Sequence, residues 1–397
     1  MTFRDIRRSL LRTAVAALSL GLLVWGLTAG PLDACPFCSA PSLTLSEQLA
    51  QADAAVLVQW ASGKPGDSER GDVGSTVYQL LEVVNPGKAQ LKKGDAVTLP
   101  RYRPGQEGDL FLLLGTQGTE LEWSSPLEVT ETSFNYIRQA PSPEAPPSAR
   151  LSYFVQFLEY PDPLISNDAY AEFSNAPYKD IVPLSAEFPR EKLRVWLADP
   201  DVPPTRLGLY GLLLGLCGTA EDAPLMERKI TEKSDDFRLG IDGVMGGYLL
   251  LTGDQGLELI DETKLKCRDI PFSETYAAMQ ALRFMWTYGD RIEKDRLRQS
   301  MRILLDRPEL ADLVIADLAR WEDWSIIDRL MGLYGAEEYS IPSIKRAIVR
   351  YLLVASKDKP DEGERADHVK QAESYLATLR ETDPKTVKQA ERFFFVN

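Results

Sequence analysis

The spacing of apolar residues along the chain changes at about residue 150. Before that point, short apolar runs alternate with clusters of glycine and proline, which is the pattern of β-strands joined by tight turns. We therefore predict a small β-barrel or sandwich over residues 35–138. The predicted strands are 54–60 (AAVLVQW), 76–84 (TVYQLLEVV), 96–99 and 109–114 (DLFLLL), preceded by a short helix at 43–52 that Ser42 or Thr44 would cap.

After residue 150 the apolar residues recur at a period close to 3.6, which predicts amphipathic helices. One decapeptide in this part has an echo further along the chain, since 206–215 reads RLGLYGLLLG and 238–247 reads RLGIDGVMGG. Three glycines match between the two copies. Because a glycine inside a helix costs about 1 kcal/mol relative to alanine, the matched glycines predict that two helices lie in close contact.

Helix pairs that recur roughly every 30–45 residues are typical of α-solenoids. Each copy of the echo is followed by a second amphipathic segment, and similar segments continue towards the C-terminus. We predict an all-α repeat domain over 150–397. A stiff linker at 139–149 would join it to the β-domain, because 140–149 (APSPEAPPSA) contains four prolines.

The segment 1–34 has the two features of an export signal. Four arginines lie in 1–12, and 13–30 has no charged side chain. Cleavage after Ala34 would make Cys35 the first residue, whereas an uncleaved segment would anchor the chain in a membrane. The stretch 32–35 resembles a lipoprotein signal, and 7–11 resembles a twin-arginine signal. We predict an exported protein that is periplasmic, secreted or anchored on the outer side of the cytoplasmic membrane, with membrane contact only through this segment or a lipid at Cys35.

A cysteine pair at 35–38 is followed by a short apolar segment that ends at Asp53, and then by a strand. Further matches to one family lie in the segments 78–84, 94–99 and 108–113. Together these features resemble the netrin-type module, an OB-like barrel that is also found in tissue inhibitors of metalloproteinases. Two differences stand against that resemblance. The pair is Cys-Pro-Phe-Cys rather than Cys-x-Cys, and the partner cysteines of the inhibitors are missing.

The spacing of small residues and leucines at 206–217 and 238–251 is similar to that of HEAT-like repeats. This resemblance implies a scaffold of stacked helix pairs that carries no catalytic residues. The predicted fold is therefore a small OB-like β-barrel followed by an all-α, HEAT-like solenoid.

Charge and composition exclude several functions. The chain carries 45 Lys+Arg against 59 Asp+Glu, a net charge of −14, and residues 35–397 alone carry 41 against 57. An acidic chain is a poor match for nucleic acid, whose phosphates need clustered cations. The single histidine, His368, lies in a charged stretch that we expect at the surface, and it excludes His-rich metal sites. No nucleophile elbow, phosphate-binding loop or dinucleotide fingerprint occurs, so we predict no enzyme activity, cofactor or metal.

The motif Cys35-Pro36-Phe37-Cys38 is the clearest local feature, and it allows several interpretations. The cysteines could form a structural disulfide with each other or with Cys217 and Cys267. They could instead form a redox-active dithiol, or Cys35 could carry a lipid. The resemblance to metalloproteinase inhibitors adds a fourth possibility, in which the amine and carbonyl of Cys35 would chelate a protease zinc ion.

Large aromatic residues crowd one part of the predicted solenoid, where they could line a recognition surface or fill the core. We predict an exported, non-enzymatic binding or scaffold protein that recognises other proteins in the cell envelope. The alternative is a redox or zinc-directed function at the cysteine pair. The candidate recognition residues are Trp286, Trp321, Trp324 and Tyr334.

Overall fold

The computed structural model describes residues 34–38, 42–87, 90–234, 236–358 and 366–392. They form two compact units that divide between Phe188 and Pro189. The predicted export segment lies outside the described residues except for Ala34. Among the helices that are described, none has both the length and the apolar character that crossing a bilayer requires.

An antiparallel sheet that nearly closes into a barrel forms the first part of the first unit. The strand order is β3-β2-β1-β4-β5, and β6 pairs with the first residues of β4, on the same edge on which β5 pairs with the last ones. The pairing of β1 with β2 shifts register three times, and such bulges increase the twist that lets a sheet curl. All four predicted strands are confirmed. The strands are β1 Ala54–Lys64, β2 Ser75–Asn85, β3 Ala96–Leu99, β4 Leu110–Gln117, β5 Leu121–Trp123 and β6 Leu127–Val129.

The core of the barrel consists of alternate residues along β1, β2, β3 and β4. Tyr78 lies at its centre, with its ring edge against Phe111 at a centroid distance of 5.4 Å. Trp60 and Trp123 cover the core from positions that are only partly buried. The core residues are Val56, Val58, Tyr78, Leu80, Val97, Leu99, Phe111 and Leu113.

Two arginines that follow β3 reach across the open side of the barrel. Arg101 donates from Nη2 to the carbonyl oxygen of Ser124 at 2.6 Å, and Arg103 donates from Nη1 to that of Pro126 at 3.1 Å. Both acceptors lie in the connection between β5 and β6. Side-chain donors therefore satisfy carbonyl groups at the place where a further strand would otherwise pair.

A short helix precedes the sheet, and four others complete the first unit. Thr44 caps the first helix with a capping box, in which its hydroxyl accepts from the N–H of Glu47 and its own N–H donates to the Glu47 carboxylate. This confirms one of the two predicted caps. The predicted linker at 139–149 lies within this unit and includes the first residues of α3. The helices are α1 Leu45–Gln51, α2 Glu131–Gln139, α3 Pro147–Phe154, α4 Pro163–Asn175 and α5 Tyr178–Ile181.

The described part of the second unit is built from helices. Its described helices are α6 Arg190–Ala198, α7 Pro204–Cys217, α8 Ala223–Thr231, α9 Ile241–Thr252, α10 Asp254–Ile260, α11 Phe272–Tyr288, α12 Lys294–Ile303, α13 Ala311–Arg320, α14 Ile327–Gly335, α15 Pro342–Ala355, α16 Asp367–Thr382 and α17 Pro384–Arg392. The chain thus has the predicted order of a β part followed by an α part.

The two echoed decapeptides give rise to α7 and α9, which touch along their glycines. A Cβ atom added to Gly215 would lie 2.4 Å from the Cα of Gly247, and one added to Gly247 would lie 2.0 Å from the carbonyl oxygen of Gly211. No side chain fits at such distances, so the predicted close contact is confirmed. Gly211, one turn before Gly215, faces Val244, which also precedes Gly247. Because the contacts advance in the same direction along both helices, α7 and α9 run parallel.

The same parallel arrangement continues through α11, α13 and α15. Arg238, before α9, pairs with Glu274 near the start of α11, whereas Arg291, after α11, donates to the Leu250 carbonyl near the end of α9. Towards the ends of α11 and α13, Trp286 stacks on Trp321. Before the starts of α13 and α15, the Tyr339 hydroxyl donates to the Leu305 carbonyl oxygen. Towards their ends, the Tyr351 hydroxyl donates to the Asp323 carbonyl oxygen. The starts of these five helices therefore face the same way.

Candidate functional site

Cys35 and Cys38 form a disulfide with each other, with Cα atoms 5.5 Å apart. Of the alternatives that the sequence left open, pairing within the motif is therefore the one found. Cys217 and Cys267 are free thiols. Burial raises the pKa of Cys217 to about 11, so its thiol stays protonated and unreactive near neutral pH.

The disulfide lies at the C-terminal end of α4. The Cys35 N–H donates to the carbonyl oxygen of Ser174 at 3.1 Å, and Cys35 is buried whereas Cys38 is partly exposed. A helix C-terminus carries partial negative charge, which raises the free energy of a nearby thiolate. Reactive cysteine pairs generally lie at helix N-termini or beside cations. This position therefore favours a disulfide that holds the chain in place over one that cycles.

The backbone groups of Cys35 are already engaged. Its N–H is bound to Ser174, and its carbonyl oxygen accepts from the N–H of Cys38 at 3.4 Å. Zinc chelation by the amine and carbonyl of this residue would require both groups to be free and accessible. The geometry of the first unit therefore does not favour that interpretation.

A buried polar cluster on α4 holds the segment that follows the disulfide. The Leu45 N–H donates to Oδ1 of Asp168 at 2.6 Å, and the Ser46 hydroxyl donates to Oε1 of Glu172 at 2.5 Å. Arg150 forms an ion pair with Glu172. Asp168, by contrast, receives its second hydrogen bond from the neutral hydroxyl of Tyr136 at 2.8 Å.

The electrostatics of Asp168 follow from this difference. Burial raises the pKa of Asp168 to about 6, and the hydrogen bonds from Leu45 and Tyr136 only partly offset that effect. Burial, together with the Asp168 carboxylate, also raises the pKa of the Tyr136 hydroxyl far above its usual value. The tyrosine therefore remains a hydrogen-bond donor at any ordinary pH.

Two of the predicted recognition residues form a stacked pair in the second unit. The rings of Trp286 and Trp321 are 4.4 Å apart and nearly parallel, at 7°. Lys294 and Arg298 lie over the Trp286 ring at 4.7 Å and 5.3 Å, and Arg298 also donates from Nε to the Trp321 carbonyl at 2.9 Å. Trp321 is buried. These contacts join α11, α12 and α13, so the pair already has partners within the chain.

Trp324 and Tyr334 are held by similar contacts. Trp324 stacks on His368 at 5.7 Å, and its Nε1 donates to Asp358 at 3.1 Å. Asp358 also binds His368 Nε2 at 2.7 Å. Tyr334 is buried and donates to Asp383 at 2.9 Å. His368, expected as a solvated surface residue, is thus partly buried between Trp324 and Asp358.

Buried carboxylates paired with arginines connect successive helices, a feature that sequence reasoning missed. Arg190 binds Asp222 at 2.7 Å, and Arg283 binds Asp317 at 2.6 Å. Partners in each pair lie 32 to 36 residues apart when Arg238 with Glu274 and Arg296 with Asp261 are included. That separation is close to the 32-residue offset of the echoed decapeptides. An arginine and an acid about one such offset apart were the signal that could have revealed the pairs.

The chemistry available to the described residues is limited. No group of three or more His, Cys, Asp or Glu side chains within them is arranged to hold a metal ion. The paired carboxylates each face an arginine of a neighbouring helix, which suits packing rather than proton transfer. Comparison with family models, with curated proteins and with solved structures finds no match to this chain.

Proposed function

We propose that this chain is an exported, non-enzymatic scaffold that recognises other proteins in the cell envelope, through an OB-like barrel and HEAT-like helical repeats. The observation that carries the proposal is the repeated connection between parallel helices, by glycine contacts at α7 and α9 and by arginine–carboxylate pairs further along. Repeats of this kind present long surfaces to partners.

The shared orientation of the helix starts supports this interpretation. Five parallel helices place their N-terminal ends on the same edge. Between helices of this unit, four buried carboxylates form ion pairs with arginines. An enzyme of this architecture would need a cluster of polar side chains that converge on open space. The buried carboxylates Asp222, Asp261, Glu274 and Asp317 instead each face an arginine.

Cross-linking in intact cells, followed by mass spectrometry of the linked peptides, tests the proposal. A scaffold gives defined links between residues of the second unit and another protein. Gly247→Val should abolish these links because it separates α7 from α9, whereas Gly332→Val should preserve them because a Cβ at Gly332 meets no atom within 4 Å. A turnover activity that a single substitution abolishes in purified protein would refute the proposal.

The mass of the mature protein, measured with and without reductant, tests the export part. Loss of residues 1–34 or addition of a lipid at Cys35 agrees with export, and an intact N-terminus in a cytoplasmic fraction contradicts it.

The cysteine pair needs its own variant. Replacing Cys35 and Cys38 with serine should lower the stability of the first unit by about 2 kcal/mol, because the closed loop is short. The cross-links should survive. Loss of function in a variant whose unfolding free energy is unchanged would instead establish the redox alternative.

A further inference from the structure

Exposed apolar side chains in the second unit are concentrated at the starts of its parallel helices. Phe237 and Leu239 immediately precede α9, and Phe272 is the first residue of α11. Leu313 lies in the first turn of α13, and Ile341 is the N-cap of α15. Of the large apolar side chains that the described part of this unit exposes, Val195 alone lies elsewhere, on α6.

Because α9, α11, α13 and α15 run parallel, these residues share one edge of the unit. We name Phe237, Leu239, Phe272, Leu313 and Ile341 the apolar edge. Phe272 is 51% exposed, and its ring stacks on Tyr276, one turn further along α11. Exposed apolar residues that are scattered singly need no explanation, but their concentration at or near the starts of four parallel helices does.

Acidic side chains accompany this edge. Asp236 precedes Phe237, Asp269 lies shortly before Phe272, and Glu337 and Glu338 lie just before Ile341; all four are exposed. None of the four has an ion-pair partner among the residues that the structure describes. Near Leu313 the acids are Glu309 and Asp312.

Most cations near these residues are already engaged, since Arg238 pairs with Glu274 and Arg307 with Glu309. Arg268 donates to the Asp306 carbonyl at 3.1 Å, and Lys345 lies over the Tyr334 ring at 4.9 Å. Lys233 is exposed. The edge therefore combines apolar contacts with a local excess of negative charge.

We propose that the apolar edge binds an extended, basic peptide segment of another protein. Neighbouring packed helices lie about 8–10 Å apart. A polyproline II chain advances about 3.1 Å per residue and returns to the same face every third residue, so its repeat of about 9 Å matches one helix spacing. Such a segment places an apolar side chain on each helix start, and lysine or arginine between them meets the acids. The inference rests on the proposed scaffold function and specifies its ligand.

A labelled twelve-residue peptide of four Leu-Lys-Pro repeats is the probe, and fluorescence anisotropy with the full chain measures its binding. Phe272→Ser and Ile341→Ser should each weaken binding at least about tenfold, as expected for a buried anchor. The matched control is Val195→Ser, which removes a side chain that is 63% exposed but lies off the edge; it should change the affinity less than about twofold.

The charge component has a separate readout. Binding should weaken as salt rises, and the double variant Asp236→Asn/Asp269→Asn should reduce that salt dependence. Replacing every lysine of the peptide with glutamate should abolish binding. Equal binding of the glutamate peptide, or equal losses for Phe272→Ser and Val195→Ser, would overturn the proposal.

Two other outcomes also count against it. If sedimentation shows a dimer of the chain that Phe272→Ser converts to a monomer, the edge binds a second copy instead. If the peptide fails to bind while cross-links to another protein persist in Phe272→Ser/Ile341→Ser, the apolar edge is wrong and the scaffold function stands. Complete absence of cross-links in the unaltered chain contradicts the scaffold function itself.

Discussion

Two buried carboxylates, Asp168 in the first unit and Glu274 in the second, are held in opposite ways. In the first unit Asp168 is held by a backbone N–H and a tyrosine hydroxyl, and burial raises its pKa to about 6. In the second unit Glu274 is buried between Arg238 and Lys264. Although burial raises the pKa of Glu274, these two cations lower it by more, so the carboxyl titrates below its usual range.

The difference shows what each carboxylate is for. Asp168 fixes a neighbouring segment of chain through directed hydrogen bonds, and it does not need to be charged to do so. Glu274 connects the start of α11 to Arg238 before α9, and its negative charge is part of that ion pair. A neutral acid therefore suffices to hold the segment at Leu45, whereas the contact of Glu274 with Arg238 and Lys264 uses full charges.

The largest effect should come from the glycine contact between α7 and α9. Gly247→Val places a side chain where a Cβ would lie 2.0 Å from the Gly211 carbonyl oxygen. The two helices must separate, and we expect a loss of about 4 kcal/mol in the free energy of unfolding, measured by urea denaturation. Gly332→Val, on an open face of α14, should change stability by less than about 1 kcal/mol. Equal effects at both positions would show that the contact is not needed.

The next effect tests the buried ion pair between Arg238 and Glu274. Arg238→Met keeps the aliphatic stem but leaves Glu274 with Lys264 as its remaining cation, and it removes hydrogen bonds to the carbonyls of Lys229 and Ile230. Breaking a buried pair from one side is strongly destabilising, so we expect a loss of about 3 kcal/mol. Calorimetry of the purified chain measures it.

The matched control for that substitution is an exposed pair on the same unit. Arg329 binds Asp306 at 2.7 Å, with both side chains more than a third exposed. Arg329→Met should cost no more than about 1 kcal/mol, since water and salt screen such pairs. A larger loss at Arg329 than at Arg238 would contradict the role assigned to buried charge.

The sequence predicted those parts of the fold that depend on residues close together in the chain or on a repeated motif. The alternation of apolar residues predicted the strands, Thr44 was one of two predicted caps, and the matched glycines predicted the contact between α7 and α9. All three follow from residues close together in the chain or from a repeated motif.

Contacts between distant segments could not be predicted in this way. The arginine–carboxylate pairs depend on which helices become neighbours, and the anchoring of Leu45 on Asp168 spans 123 residues. The sequence alone does not decide whether Trp286 and Trp321 line a surface or fill the core, because composition does not determine which ring contacts which. Their stacking emerges only once α11 and α13 are parallel.

The pH dependence of the first unit is the sharpest test of the comparison. Its effect per pH unit is smaller than the losses expected for Gly247→Val and Arg238→Met. Since the pKa of Asp168 is raised from 3.8 to about 6 on folding, the folded state binds the proton more tightly than the unfolded state. Its contribution to stability is therefore complete below about pH 4 and is lost as pH rises towards 6, at up to about 1.4 kcal/mol per pH unit. Asp168→Asn should remove this slope while keeping an oxygen for the Leu45 N–H.

Hydrogen exchange followed by mass spectrometry can read the two units separately. Protection of peptides from α4 should decrease between pH 4 and 6, after correction for intrinsic exchange rates, and should become flat in Asp168→Asn. A peptide that covers the start of α11 around Glu274 should show the opposite trend, because the lowered pKa of Glu274 gives stability that is lost on acidification. If the α4 and α11 peptides respond to pH in the same direction, Asp168 and Glu274 are not held in different ways, and the comparison fails.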